Sequence, residues 1–217
     1  MPYVINCLSS CRSYALSLTT RYPFASRSNR VMMTFLREVL GMSKKGSVIW
    51  LTGISGAGKT TLSIALKKEL ESRGKQISLL DGDVVRDLFE GDLGVSKPDR
   101  IMNVRRVTFA AAMLADAGVD VIVANIAPYF EVRDFIRRKI KNYYQIYVKT
   151  SVETVQKRDV KGLYAKFEKG EIKNLVGLDD PYEEPRCPDI TVDSSIESEQ
   201  DSLKRILEGI EKSDLPI

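Results

Sequence analysis

From residue 47 onward, short apolar runs alternate with longer stretches in which apolar residues return every three or four positions, the mark of strands followed by helices. Ser47–Thr52 reads SVIWLT, a compact apolar run that predicts a strand, and the glycine-rich turn Gly53–Gly58 follows it. Leu62, Ala65, Leu66 and Leu70 then share one helical face, so a helix is expected until Gly74 stops it. Gln76–Leu80 predicts a second strand, expected beside the first and ending in Asp81-Gly82-Asp83. Ile101, Val104, Val107, Ala111 and Leu114 trace the buried side of a long helix that reaches about Gly118. Val119–Ala124 and Tyr143–Val148 predict two further strands, and Ile190–Val192 a short last one. A closing helix carries Leu203, Ile206, Leu207 and Ile210, with Ser194 and Glu197 spaced for a reciprocal cap.

Strands separated by helices need crossover connections, which make the sheet mostly parallel and cover both of its faces. The expected fold class is α/β, in three layers. Residues 1–45 break the pattern: they are rich in Ser, Arg and Thr, hold seven basic residues against Glu38 alone, and lack the apolar run of a secretory signal. Such a leader resembles an organelle transit segment, while Met32, Met33 and Met42 mark alternative starts that would make it dispensable. We expect a basic leader over residues 1–41, disordered or dispensable, with a short helix compatible with Val31–Leu40, and one catalytic domain over 42–217.

The 217 residues, 43% of them hydrophobic, suffice for a single domain with a buried core. The absence of His excludes imidazole-based catalysis and His-ligated zinc, so any general base is a carboxylate, Lys, Tyr or Cys. The net charge is +4, and the leader more than accounts for it, so the body is not expected to bind nucleic acid. Cys7, Cys11 and Cys187 make no metal-ligand array, and their scarcity suits a reducing cytoplasm. No stretch approaches the ~20 apolar residues that span a bilayer, so no membrane association is expected. The leader leaves organelle targeting open.

The sharpest chemical signal is Gly53-Ile54-Ser55-Gly56-Ala57-Gly58-Lys59-Thr60, a G-x-x-x-x-G-K-[ST] phosphate-binding loop between a strand and a helix. Its glycines let backbone N–H groups converge on phosphate oxygens, and the helix N-terminus adds positive potential. The expected ATP-binding set is Gly53, Ser55, Gly56, Ala57, Gly58, Lys59, Thr60 and Thr61, with Lys59 on the β and γ phosphates and the Thr60 hydroxyl on Mg²⁺. The fold is thereby of P-loop NTPase type. The guanine-reading [NT]-K-x-D element is missing, which makes a small-molecule kinase the leading class.

A second candidate is Asp83, at a strand's carboxyl end, where doubly wound sheets collect ligands. It can accept the proton of an attacking hydroxyl or hold Mg²⁺ through water, or simply cap a helix starting at Val84. Arg86 lies one turn further on. Arg100, Asn103 and Arg106 form a stripe that either lines an acceptor pocket or is a solvated helix face. The basic run Lys157–Lys173, with Arg158, Lys161, Lys166 and Lys169, reads either as a closing lid or as an exposed helix.

Taken in order, these elements resemble the adenylylsulfate (APS) kinase family over about Met42 to Val192. The matching segments are the P-loop, Leu80–Asp83 with Arg86, Asp99-Arg100, Asn103–Arg106, Ala115–Gly118, Ala127–Tyr129, Arg158–Tyr164, Gly170–Lys173 and Asp179–Glu183. The resemblance implies transfer of the ATP γ-phosphoryl group to the 3′-hydroxyl of APS, giving 3′-phosphoadenylylsulfate (PAPS) and ADP, by a homodimer. It makes Asp83 and Lys59 catalytic and adds Arg158 to the ATP-binding set. Asp81, Arg86, Arg100, Asn103, Ile126, Lys161, Gly162 and Leu163 fall to the acceptor and the closing segment.

The departures from the family pattern cluster on the acceptor side. Val95 and the stretch Asn174-Leu175-Val176-Gly177 stand where the family carries two Phe residues resembling a clamp on adenine. Such stacking is worth roughly 1–3 kcal/mol per base. Val84, Met102, Ala127 and Phe130 also replace family residues. Two alternatives follow: a related kinase of another nucleotide, such as cytidine diphosphoramidate, or a nucleotide-binding regulator without catalysis. Retention of Lys59, Thr60 and Asp83 argues against the regulator.

Overall fold

The structure is a computed structural model that describes residues 45–217; the leader, the short helix over 31–40, Cys7 and Cys11 lie outside the described residues. Five parallel strands make the sheet: β1 (Val48–Thr52), β2 (Ile77–Asp81), β3 (Asp120–Ala124), β4 (Tyr143–Lys149) and β5 (Ile190–Asp193), in the order β2-β3-β1-β4-β5. The helices are α1 (Lys59–Ser72), α2 (Gly82–Leu88), α3 (Lys97–Asp116), α4 (Phe130–Lys139), α5 (Val152–Arg158), α6 (Leu163–Glu168) and α7 (Glu199–Glu211).

Every residue of β1 is buried, as befits a central strand covered on both faces. Side chains alternate across it. Ile49 and Leu51 join Leu62, Leu66 and Leu70 of α1 and Ile206 and Ile210 of α7, whereas Val48 and Trp50 join Val104, Val107 and Ala111 of α3 and Val132 and Ile136 of α4. Each fully buried side chain of this size stabilises the fold by about 1.5–3 kcal/mol, so the ends of β1 and β3 are firmly placed beneath the cleft.

Three expectations need correction. The strand ending at Asp81 pairs with β3, not with β1: the β1–α1–β2 crossover skips a position, and β3 fills it. An apolar run signals burial but not which neighbour supplies it, and the half-buried pattern of β2 is that of an edge. Helix α7 is capped by Ser198, whose hydroxyl accepts from Asp201 N at 3.1 Å, rather than by Ser194 with Glu197. The chain makes a turn after β5 before the helix begins, and the Glu197 carboxylate instead accepts from Asp193 N at 3.0 Å. Lastly, Lys157–Lys173 is not one helix. α5 ends at Arg158, and Gly162, with φ of 65°, begins α6. Helix α4 is missing from the expected elements although Val132, Phe135, Ile136 and Ile140 recur at helical spacing, beside a buried Arg133.

Candidate active site

The chain leaves β1 through the glycine loop. At Gly53 a Cβ would lie 2.3 Å from the Val148 carbonyl oxygen, so only glycine lets the loop turn against β4. Gly58, at φ of 95°, starts α1 with no side-chain cap. The first-turn N–H groups, which no helix satisfies internally, are therefore left for a ligand. Lys59 Nζ reaches back to donate to the Gly53 and Ile54 carbonyl oxygens, each at 2.8 Å. An ammonium has three donors, so one remains for a phosphate oxygen. Burial pushes the Lys59 pKa down to about 8, opposed by the Asp83 charge.

At the end of β2 one carboxylate makes two contacts. Asp81 Oδ1 accepts from Asp83 N at 2.8 Å and so caps α2, while its Oδ2 accepts from the Thr60 hydroxyl at 3.1 Å. The helix starts at Gly82 and its cap is Asp81, which corrects the reading of Asp83 as the cap and leaves the Asp83 carboxylate out of the cap. Burial raises the Asp83 pKa, but the Lys161 ammonium at 2.6 Å, with Lys59 and Arg86, outweighs it and holds the carboxyl below the ordinary range. The Asp83–Lys161 pair is largely exposed, so it contributes little stability and opens easily.

The same cleft, of about 500 Å³, continues past Asp83 to Arg86, Val95, Arg100, Asn103, Ile126 and Leu175. Arg86 Nη1 donates to the Leu93 and Gly94 carbonyl oxygens and so fixes the loop that presents Val95. Arg100 Nη2 donates to the Asn174 carbonyl oxygen at 2.5 Å. Asn103 Nδ2 donates to the Gly82 carbonyl oxygen at 3.1 Å, while its buried Oδ1 has no hydrogen-bond partner. Arg106 is turned away: it pairs with both Asp92 carboxylate oxygens, at 2.8 and 2.6 Å, and covers the Phe89 ring. Three residues turn an α-helix by about 300°, so a stripe at that spacing drifts about 60° per step and leaves the cleft by its third member.

The profile of the adenylylsulphate kinase family matches residues 45–193. The chain belongs to this family. An adenylyl-sulfate kinase of Deinococcus deserti is 46% identical over 177 residues, which is 82% of this chain and 96% of that protein. The structure of the Mycobacterium tuberculosis APS kinase in complex with AMPPNP and APS is 33% identical, covers 78% of this chain and 99% of that one, and superposes with a TM-score of 0.74. A hexameric APS kinase from Thiobacillus denitrificans is 31% identical over 77% of this chain and 29% of that one, with a TM-score of 0.59.

In this member of the family the cleft gathers Ser55, Gly56, Gly58, Lys59, Thr60, Thr61, Asp81, Asp83, Arg86, Arg100, Asn103, Ile126, Lys161 and Leu163 from the expected set. It does not gather Gly53, Ala57, Gly162 or Arg158. Gly53 and Ala57 frame the loop from beneath, Gly162 opens α6, and Arg158 donates to the Ser194 carbonyl oxygen at 2.5 Å beyond β5. Val95 is 47% exposed and Leu175 is 6% exposed, and both line the cleft.

Sequence reasoning missed Asn125, which lines the cleft and packs so tightly on Gly82 that a Cβ there would lie 2.0 Å from Nδ2. Its position just past the carboxyl end of β3 was the available signal. It also gave no role to Asp179 and Asp180. The Asp179 carboxylate accepts from the N–H groups of Asn174 and Leu175, at 2.8 and 2.7 Å, and so folds the turn that carries Leu175.

The uncapped α1 N-terminus and the spare Lys59 donor fit a nucleotide triphosphate. The Thr60 hydroxyl and the Asp81 and Asp83 carboxylates are hard oxygen donors suited to Mg²⁺. Among the described residues no cluster of three or more His, Cys, Asp or Glu could enclose a metal, and an ion held mainly by phosphates and water needs none. No described helix is long and apolar enough to cross a membrane.

Proposed function

We propose that this protein transfers the γ-phosphoryl group of ATP to the 3′-hydroxyl of adenylylsulfate, forming PAPS and ADP in sulfate activation. The observation that carries this reading is one continuous cleft with the phosphate loop at one end, Arg100 and Asn103 at the other, and Asp83 within electrostatic reach of both Lys59 and Arg86.

The N–H groups around Ser55–Thr61 and the Lys59 ammonium hold the β and γ phosphates. Thr60 and Asp81 would hold Mg²⁺, which when bound neutralises phosphate charge. Asp83, kept ionised by Lys161, Lys59 and Arg86, accepts the proton of the 3′-hydroxyl as its oxygen bonds to the γ phosphorus and the bond to the β-phosphate oxygen breaks. Arg100 and Asn103 bind the acceptor, and the segment with Lys161 and Leu163 closes over it, Lys161 leaving Asp83 to do so. The kinase works in the cytoplasm as a homodimer of domains spanning 42–217.

Val95 and Leu175 in the acceptor cleft favour a second reading, in which a smaller pyrimidine nucleotide such as cytidine diphosphoramidate is phosphorylated. ADP release measured with adenylylsulfate, with cytidine diphosphoramidate and with no acceptor decides between them. We expect release with adenylylsulfate. Release with the cytidine compound alone would replace this assignment with the second, and ATP binding without release under any condition would identify a regulator.

A further inference from the structure

Behind the acceptor end of the cleft lies a buried chain of polar groups that the transfer step does not use. Tyr129 is 1% exposed, and its hydroxyl donates to the Asp180 carboxylate, 2.9 Å from Oδ1 and 2.8 Å from Oδ2. Asp180 is 8% exposed, and its Oδ2 lies 3.2 Å from Arg100 Nε. Arg100 alone of the three lines the cleft. The backbone closes the circuit: Asp180 N donates to the Leu175 carbonyl oxygen at 3.4 Å, and the Asp180 carbonyl oxygen accepts from Gly177 N at 2.8 Å.

This arrangement attracts Arg100 without capturing it. Despite the 3.2 Å separation, Arg100 Nε makes no aligned hydrogen bond with Asp180. The Tyr129 hydroxyl bridges both carboxylate oxygens and occupies the edge that a guanidinium would need for a bidentate pair. Nη2 is taken by Asn174, and Nη1 has no hydrogen-bond partner among the described residues. A partly buried guanidinium held in this way keeps donor capacity on the side of the cleft it lines.

We infer that Tyr129, acting through Asp180, is a positioning residue that keeps the Arg100 guanidinium available to the anionic acceptor. Without the hydroxyl, a buried carboxylate that has lost its donor must find another, and Arg100 is the one within reach. Asp180 would then hold the guanidinium in a closed pair and withdraw it from the substrate. Burial and the Asp180 charge both push the Tyr129 pKa up, so the hydroxyl remains a donor throughout the working pH range.

The inference rests on the adenylylsulfate kinase reading, and one set of kinetics separates the two. Initial rates are measured for the full chain and for Tyr129→Phe, which keeps the ring and its volume, varying adenylylsulfate at saturating ATP and then the reverse. We expect the KM for adenylylsulfate to rise about tenfold and the KM for ATP to stay within about twofold. Asp180→Asn, which keeps the volume and an acceptor for Tyr129, serves as the second variant. It should also raise the KM for adenylylsulfate, because Arg100 loses the charge that orients it. Adding Tyr129→Phe to Arg100→Lys should cost no more than Arg100→Lys alone, the non-additivity of residues acting through one group. An unchanged KM for adenylylsulfate in both single variants, or a parallel rise in the KM for ATP, overturns the positioning role while leaving the kinase reading intact. A wild-type protein that binds ATP but does not turn over adenylylsulfate overturns the kinase reading and the inference with it.

Discussion

The two ends of the cleft are built on different principles. The donor end is one contiguous stretch, Gly53–Thr61, whose binding groups are main-chain N–H donors and a single ammonium tied to that same stretch. The acceptor end draws Arg86, Val95, Arg100, Asn103, Ile126 and Leu175 from separate segments and holds them through side-chain bonds to carbonyl oxygens and carboxylates. A main-chain cradle is indifferent to most neighbouring substitutions, because every residue carries the same amide. A side-chain assembly changes with each of its members.

The largest expected effect tests the donor end. Lys59→Ala removes the ammonium that, among the described residues, is tied to the loop, and should lower kcat/KM for ATP by about 10³-fold, with nucleotide binding and turnover damaged together. A loss confined to kcat, with ATP affinity unchanged, would separate Lys59 from the phosphate cradle. Asp83→Asn tests the junction between the two ends. It should slow transfer by about 10²-fold with ATP binding nearly intact, since proton acceptance is lost and the cradle is untouched. Single-turnover transfer beside equilibrium ATP binding reads both quantities, and an unchanged rate would remove Asp83 from the chemistry.

The same contrast explains what could be read from the chain alone. The phosphate loop was legible because its geometry depends on glycines at fixed offsets, and five strands were legible because burial writes apolar runs. The strand order was not, since β1 and β3 are equally apolar and neither run names its neighbour. At the acceptor end, spacing alone put Arg106 with Arg100, yet the helix rotates it onto Asp92. Tyr129 and Asp180 are 51 positions apart, and no local pattern joins them before the sheet does. Spacing offered Arg100 and Asn103 as one of two readings and the family resemblance favoured it, but neither supplied the partners that orient them.

A moderate effect is expected from placing an aromatic at the acceptor end. Val95 is 47% exposed at the cleft wall, so a larger side chain has room without overpacking, which buried Leu175 would not allow. Stacking of about 1 kcal/mol, the low end for a base on an aromatic ring, corresponds to roughly a fivefold lower KM for adenylylsulfate in Val95→Phe. The KM for ATP should not move. A KM for adenylylsulfate that stays the same or rises would show that the acceptor base does not reach this wall.

The smallest effect returns to the donor end and to its one titrating group. Burial holds the Lys59 pKa at about 8, below the ~10.4 of a solvated lysine. Between those values the unfolded chain binds more protons than the folded one, so the contribution of Lys59 to stability is unfavourable at lower pH and is relieved as pH rises through that window. Triphosphate reverses the balance, because its charge favours the ammonium form. ATP binding should therefore take up clearly more of a proton at pH 9, above the Lys59 pKa, than at pH 7, below it. Calorimetric titrations in two buffers of different ionisation enthalpy measure this uptake directly, and Lys59→Ala should abolish the difference between the two pH values. Equal uptake at pH 7 and pH 9 in the unaltered protein would mean that the ammonium is already fully charged before ATP arrives. The cradle would then be solvated, and the donor end would lose the desolvated charge on which its grip depends.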